Sequence, residues 1–328
     1  MTVYNTLKGL KIRYVSTDPS GAENGQVWYN STSGNSRVAG ILSPAAWSSA
    51  PAPAVNKDSF SSGGTQTAAI LSGAAGANPA NSAKAEEYDG SSWTALTNMP
   101  AAYGYNISCG TVSDWSSMGG GYGPPSQNAV TTVYDWNGSG WTTGASMPTA
   151  LIEAGVCGPG QQCLLTGGYA GGLLATTNER SGGSWTNTGN LNTARYIPAL
   201  TGTKADSIAS GGVGTPTYTN VVETYNGSSW TNSTSMPETR GYAGAAGSNS
   251  NDQFLFGGNT ASVPPGTTVS IKWNGSSWST DASLSSGKSG LGGFGSSTAA
   301  LCGGSGNSPG ASEEYNGAST GNESISTS

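Results

Sequence analysis

The chain has 328 residues, with 12 Lys or Arg, 18 Asp or Glu and no His, giving a formal net charge of −6. The missing imidazole excludes a Ser-His-Asp triad, His-ligated zinc or copper and an imidazole base. Twelve cations spread along an acidic chain argue against a nucleic-acid groove. Glycine is abundant at 52 residues and only 9% of residues are charged, but 10 Trp and 14 Tyr set the chain apart from disordered sequences.

Residues 1–42 form a leading segment. Thr17-Asp18-Pro19-Ser20-Gly21 is turn chemistry. Val27-Trp28-Tyr29-Asn30 and Ser36-Arg37-Val38-Ala39 flank a polar stretch holding Gly34, which predicts a β-hairpin. Met1 to Lys8 has no apolar run, so no signal peptide is expected. No stretch approaches the roughly 20 apolar residues of a membrane span.

A repeat then runs over residues 43–317. Trp47, Trp93, Trp141, Trp185, Trp230 and Trp278 are spaced by 46, 48, 44, 45 and 48 residues. Copies of one phrase precede five of them, as in Tyr88-Asp89-Gly90-Ser91-Ser92 and Tyr225-Asn226-Gly227-Ser228-Ser229. Asn-Gly and Asp-Gly predict tight hairpins with both central residues at positive φ. The aromatics on either side then pack across two adjacent strands. Met99-Pro100, Met147-Pro148 and Met236-Pro237 follow their Trp and end a strand. A small-residue strand comes next, then a strand ending in a glycine pair whose second members are Gly120, Gly168, Gly212, Gly258 and Gly304. A polar loop and a third strand lead to the next aromatic phrase. The first Trp strand has no third strand before it, and the last third strand, at Tyr315, has no Trp strand after it. The Trp47 strand is therefore expected to complete the last unit and close a ring of six. Residues 318–328 read as a loose tail.

Four strands per 44–48 residues is the period of a propeller blade. The order of features resembles the kelch repeat: a glycine pair, Glu-x-Tyr-[Asp/Asn]-Gly, Trp, Met-Pro and a basic residue. It is carried best by Glu86-Glu87-Tyr88-Asp89-Gly90, Glu223-Thr224-Tyr225-Asn226-Gly227 and Glu313-Glu314-Tyr315-Asn316-Gly317. Arg180 departs from the aromatic, Ile271 from the Glu, and the first unit lacks a true glycine pair. The resemblance implies an all-β, six-bladed, kelch-like β-propeller with four antiparallel strands per blade. The stretch from Asp18-Pro19-Ser20-Gly21 through Val27-Trp28-Tyr29-Asn30 to Gly34 resembles a segment near the start of tail and fibre-type proteins of tailed bacteriophages. That likeness implies a docking segment and a virion location, reached from the host cytoplasm without a leader.

Candidate chemistry is sparse. Galactose-oxidase-type kelch propellers use His, Tyr and Cys around copper, and this chain has no His. No sialidase-type Asp-box copy occurs, and an arginine triad would have to come from five Arg. Asp114, Glu153, Asp206 and Asp252 could serve a two-carboxylate glycosidase, though no motif ties any two together. Ten residues after each Trp stand Lys57, Tyr103, Leu151, Arg195, Arg240 and Lys288. One reading is a polar mouth holding an anionic sugar or a partner's carboxylate; the other is a structural base paired with a blade acid. Cys109 and Cys157 are equivalent small core positions, and Cys157 and Cys163 could meet across a hairpin or stay free. Asn137, Asn226 and Asn274 open formal glycosylation sequons that the hairpins explain.

These features favour a non-enzymatic virion structural protein: a tail, fibre or head appendage without cofactors, docked through residues 1–42. Its propeller would meet other virion proteins and a host-surface glycan or receptor within a multimeric assembly. A carbohydrate-active enzyme and a cellular kelch scaffold stand as alternatives. Recognition is expected on loops such as Tyr122 to Asn128, Tyr169 to Leu174 and Asn259 to Thr267.

Overall fold

A computed structural model describes residues 13–20, 26–54, 62–73, 83–120, 129–261, 266–304 and 312–325. These residues form strands and connections, with no helix among them. The chain divides into two compact units, Trp47–Asn316 and a second built from Met1–Ala46 with Gly317–Ser328.

The second unit holds one four-stranded sheet. In it β1 (Arg13–Val15) pairs in parallel with β2 (Val27–Asn30), β2 pairs antiparallel with β3 (Asn35–Ser43), and β3 pairs antiparallel with β28 (Ser319–Ile325). The predicted hairpin is β2–β3. Two expectations are corrected. Residues 318–328 are not simply a loose tail, because Ser319–Ile325 lie along β3 in a register running from Ser43 to Ser36. The described residues therefore form seven four-stranded sheets rather than six, since β28 covers the edge that β3 would otherwise leave unpaired. Asp18 ties to β2 and β3: its Oδ1 accepts from the Trp28 indole at 2.9 Å and the Asn30 amide at 2.7 Å, and Arg37 stands 3.5 Å from Oδ2.

Six sheets occupy Trp47–Asn316. The first has β5 (Ser62–Thr65), β6 (Ala68–Ser72), β7 (Ala85–Tyr88) and β8 (Trp93–Ala95). The second has β9 (Ile107–Thr111), β10 (Asp114–Met118), β11 (Val133–Trp136) and β12 (Trp141–Thr143). The third has β13 (Gly155–Cys157), β14 (Leu164–Thr166), β15 (Thr177–Ser181) and β16 (Ser184–Thr188). The fourth has β17 (Ala199–Thr203), β18 (Asp206–Ser210), β19 (Val222–Tyr225) and β20 (Trp230–Asn232). The fifth has β21 (Gly244–Asn249), β22 (Asp252–Phe256), β23 (Ser270–Trp273) and β24 (Trp278–Asp281). The sixth joins β25 (Gly292–Gly295), β26 (Ala299–Gly303) and β27 (Ser312–Asn316) to β4 (Ala46–Ala50), which carries Trp47. Consecutive strands of the first five sheets pair antiparallel, the pattern of a β-propeller.

In the six sheets of Trp47–Asn316 the second and third strands are largely buried and the fourth is largely exposed, and aromatics replace the aliphatics the sequence lacks. Tyr88 opposes Trp93, Trp136 opposes Trp141, Tyr225 opposes Trp230 and Trp273 opposes Trp278, with ring centroids 5.0–5.4 Å apart. The turns differ from the expected type in one respect. Gly90, Gly138, Gly227 and Gly275 take φ of 90–91°, while the preceding Asp or Asn does not take positive φ. Its side chain instead accepts two backbone N–H groups, as Asn226 does from Ser228 and Ser229 at 3.0 Å. Only one residue per turn needs the left-handed region, and it is glycine.

The repeat Trp residues also tie sheets together. Trp93, Trp141, Trp185 and Trp278 donate their indole N–H at 2.8–3.0 Å to the carbonyls of Pro51, Thr97, Ala145 and Thr234, each four residues past the preceding repeat Trp. Trp47 does the same toward Ala282, four residues past Trp278. Trp230 departs and bonds Thr177 Oγ1 at 2.9 Å. Met99, Met147 and Met236 are buried, and Leu191 and Leu284 fill the same column in two other units.

The glycine pairs end the second strands. Gly120, Gly168, Gly212, Gly258 and Gly304 all take positive φ. A Cβ on Gly212 would sit 2.7 Å from the Tyr196 carbonyl oxygen. In the last copy the register slips by one: Gly303 belongs to β26, and Gly304 takes the first left-handed position.

Candidate functional site

The basic column lies inside the sheets, which corrects the reading of Arg195, Arg240 and Lys288 as a ligand-holding mouth. All three are essentially buried. Arg195 pairs with Glu223 at 2.5 Å, and the same carboxylate accepts the backbone N–H of Asn192 and Thr193. Lys288 pairs with Glu313, which also binds Ser285. Both glutamates stand two residues before the aromatic of their phrase, so base and acid form one internal unit. Where the acid changes, the partner changes too. Tyr103 stacks on Tyr134, with centroids 6.1 Å apart, and Leu151 enters an apolar core with Ile107, Met118 and Leu165. Arg240 faces Ile271 at the acid position; its NH1 donates to the Val269 carbonyl and its Nε has no hydrogen-bond partner among the described residues. Burial lowers the pKa of both Arg195 and Arg240. Lys57 lies outside the described residues.

The site that sequence reading missed lies two positions further on. Twelve residues after successive Trp stand Tyr105, Glu153, Ile197, Tyr242 and Gly290, with φ between 47° and 68°. Only the glycine adopts this region without cost, so four non-glycine residues are held there by their surroundings. The Ile197 N–H donates to the Glu153 carbonyl at 2.6 Å, and the Gly290 N–H to the Tyr242 carbonyl at 2.9 Å. These bonds run from one sheet's entry to the next.

Glu153 is the one charged member. It is 8% exposed, and burial alone pushes its carboxyl up to about 7. Around it gather tyrosines from three sheets. Tyr169 and Tyr196 meet edge to face with centroids 6.0 Å apart, and Tyr218 and Tyr242 do so at 6.3 Å. Tyr196 and Tyr242 share a hydrogen bond, and both have their hydroxyl pKa raised by burial first and by the Glu153 charge in addition. Tyr169 is 40% exposed, and Asn259 donates its amide to the Tyr218 hydroxyl at 3.3 Å. Tyr169 to Leu174, an expected recognition loop, thus contributes its tyrosine; residues 121–128 and 262–265 lie outside the described residues. The one sequence signal was the left-handed column, since Gly290 marks a position that the other units fill with larger residues.

Next to this cluster the first strands line a narrow space. Ala154, Ile197, Pro198 and Tyr242 border one part of it. All six first strands border its continuation.

Asp114, Asp206 and Asp252 open β10, β18 and β22, at the far end of the strands from the left-handed column. Strands of about five residues at ~3.3 Å each separate that end from Glu153 by ~15 Å, beyond the about 5–9.5 Å of a glycosidase carboxylate pair. Asp206 instead accepts the Ser250 N–H of the next sheet. The four cysteines are free and buried. Cys163 packs with Cys109 and Leu165, whereas Cys157 packs with Leu164 and Leu200, so Cys157 and Cys163 lie on opposite faces and form no disulfide.

Neither a protein-family model nor a curated protein sequence matches the chain. Among solved structures, that of YjhT is similar, with a TM-score of 0.64 and 13% identity over 81% of this chain and 96% of that one. At this identity the likeness defines the fold alone: the repeated sheets are those of a β-propeller.

Proposed function

We propose that the chain is a non-enzymatic structural protein of a phage particle, docked through its N-terminal segment and presenting a six-bladed, kelch-like propeller for recognition. The observation that carries the non-catalytic part is the use of charge. Arg195 and Lys288 are consumed by Glu223 and Glu313 inside the sheets, and Asp114, Asp206 and Asp252 stand apart from Glu153. Ring closure by the Trp47 strand is supported by its place beside β27 and by the Trp47 bond to Ala282. The packing of Phe294 and Leu301 of the sixth sheet with Ala69, Leu71 and Tyr88 of the first supports it too. The virion role rests on the likeness of the Asp18 to Gly34 stretch to fibre-type proteins. In this structure its Asp18 accepts hydrogen bonds from the side chains of Trp28 and Asn30. Mass spectrometry of purified particles tests the proposal: the chain should be found at a fixed ratio to the other particle proteins. Its absence from particles, with the protein present in the producing cell, would overturn it.

A further inference from the structure

We infer that Arg240 holds a monatomic anion of the halide class, chloride being the abundant one, inside the fifth sheet. The site belongs to the frame of the propeller and is independent of any virion role.

The six units share one plan: a residue seven past each repeat Trp, a residue ten past it, and an acid position two before the next phrase aromatic. Three units carry Glu at the acid position. Glu86, Glu223 and Glu313 each accept the backbone N–H seven past the Trp, from Ala54, Asn192 and Ser285. The other three units place Pro100, Pro148 and Pro237 there, which have no N–H, and Tyr134, Asn178 and Ile271 at the acid position. The acid and the donor that binds it are lost together. Two of these Pro units also replace the base, by Tyr103 and Leu151. Arg240 is the base that the third one keeps.

Arg240 is 2% exposed, its NH1 donates to the Val269 carbonyl, and among the described residues its Nε has no hydrogen-bond partner and the side chain makes no ion pair. Arg195 also leaves its Nε unbonded, but its NH1 has Glu223. A guanidinium keeps its charge in the interior, and a buried charge costs stability unless a counter-charge meets it. The acid that acts on Arg240 is Glu238, which is exposed and makes no contact with it. Tyr103 and Leu151 fill the same position without a charge, so the plan of the sheet does not require this cation. Glu reaches past Ile by the oxygens of its carboxylate, and a monatomic anion has about their bulk. Beside Ile271 such an anion would meet what the Glu223 carboxylate meets in the fourth sheet: a guanidinium and, where Thr193 offers its N–H, the N–H of Glu238. A sugar or a peptide is too large for a cation so deeply buried.

Exchanging sodium gluconate for sodium chloride at constant ionic strength separates a bound anion from general screening. With the full chain, replacing about 0.2 M gluconate by chloride should raise the thermal midpoint by about 2 °C. Arg240→Leu should remove this dependence. Glu238→Gln, which takes away a competing negative charge, should strengthen it. Chlorine NMR of the folded chain reads binding without unfolding. The chloride signal should broaden with the wild type, narrow again as bromide is added, and stay narrow with Arg240→Leu whatever the stability of that variant. A chloride signal left narrow by the wild type, equal broadening by Arg240→Leu, or a midpoint that responds to chloride equally in both proteins would overturn the inference.

Discussion

Arg195 and Arg240 occupy the same column, both are buried, and among the described residues only Arg195 forms an ion pair, while Arg240 feels the Glu238 charge without contact. That difference decides what each contributes. Replacing Arg195 by Leu leaves Glu223 charged and unpaired in the interior, at a cost of about 3–5 kcal/mol. Replacing Arg240 by Leu removes a guanidinium held by one carbonyl, opposite Ile271, and should change stability by less than about 1 kcal/mol. Urea unfolding of the two variants checks this; equal losses would show that the Glu223 pair is not what makes Arg195 matter. Glu153 gives a second residue-scale prediction. Its folded carboxyl titrates near 7 and its unfolded one near 4.5. Between these values the folded chain keeps a proton that the unfolded chain releases, so stability falls as pH rises through this window. The loss is on the order of 3 kcal/mol above it. Glu153→Gln should match the wild type at about pH 4 and exceed it at about pH 8. Parallel pH profiles would refute the assignment.

At the scale of elements, strand edges and turns set the energetics. Gly212 combines a φ of 101° with a Tyr196 carbonyl oxygen where a Cβ would lie at 2.7 Å, so Gly212→Ala should cost about 2 kcal/mol or more, read as a lower denaturation midpoint. β28 covers β3, so truncation after residue 317 should strip hydrogen-exchange protection from the Asn35–Ser43 amides that bond it. Protection unchanged by the truncation would mean that β28 pairs only loosely. Much of this scale was legible in the sequence. The Trp spacing and glycine pairs marked the sheets, because side-chain alternation and left-handed turns leave residue-type signatures. The β28 strand was not legible. Ser319-Thr320-Gly321-Asn322-Glu323-Ser324-Ile325 has no alternating pattern of its own, and its strand state comes from pairing with β3. The site was less legible still. The basic column stood out by composition but is internal, whereas Glu153 is one acid among 18 and is distinguished only by burial and backbone conformation.

For the whole molecule, a chain with few aliphatics and few charges is held by repetition. Each sheet buries aromatics against the next, and each repeat Trp except Trp230 donates to the same backbone position of the preceding copy. The frame offers its neighbours short edges. If the Trp47 strand closes the ring, deleting residues 43–50 exposes an edge on β27 and removes the Ala282 bond, and the thermal midpoint should fall markedly. An unchanged midpoint would rule out closure by this strand. The claim that the propeller serves recognition is tested most directly by competition. The purified full chain should inhibit particle adsorption to host cells in a saturable manner. Adsorption that continues unchanged at saturating propeller would contradict it.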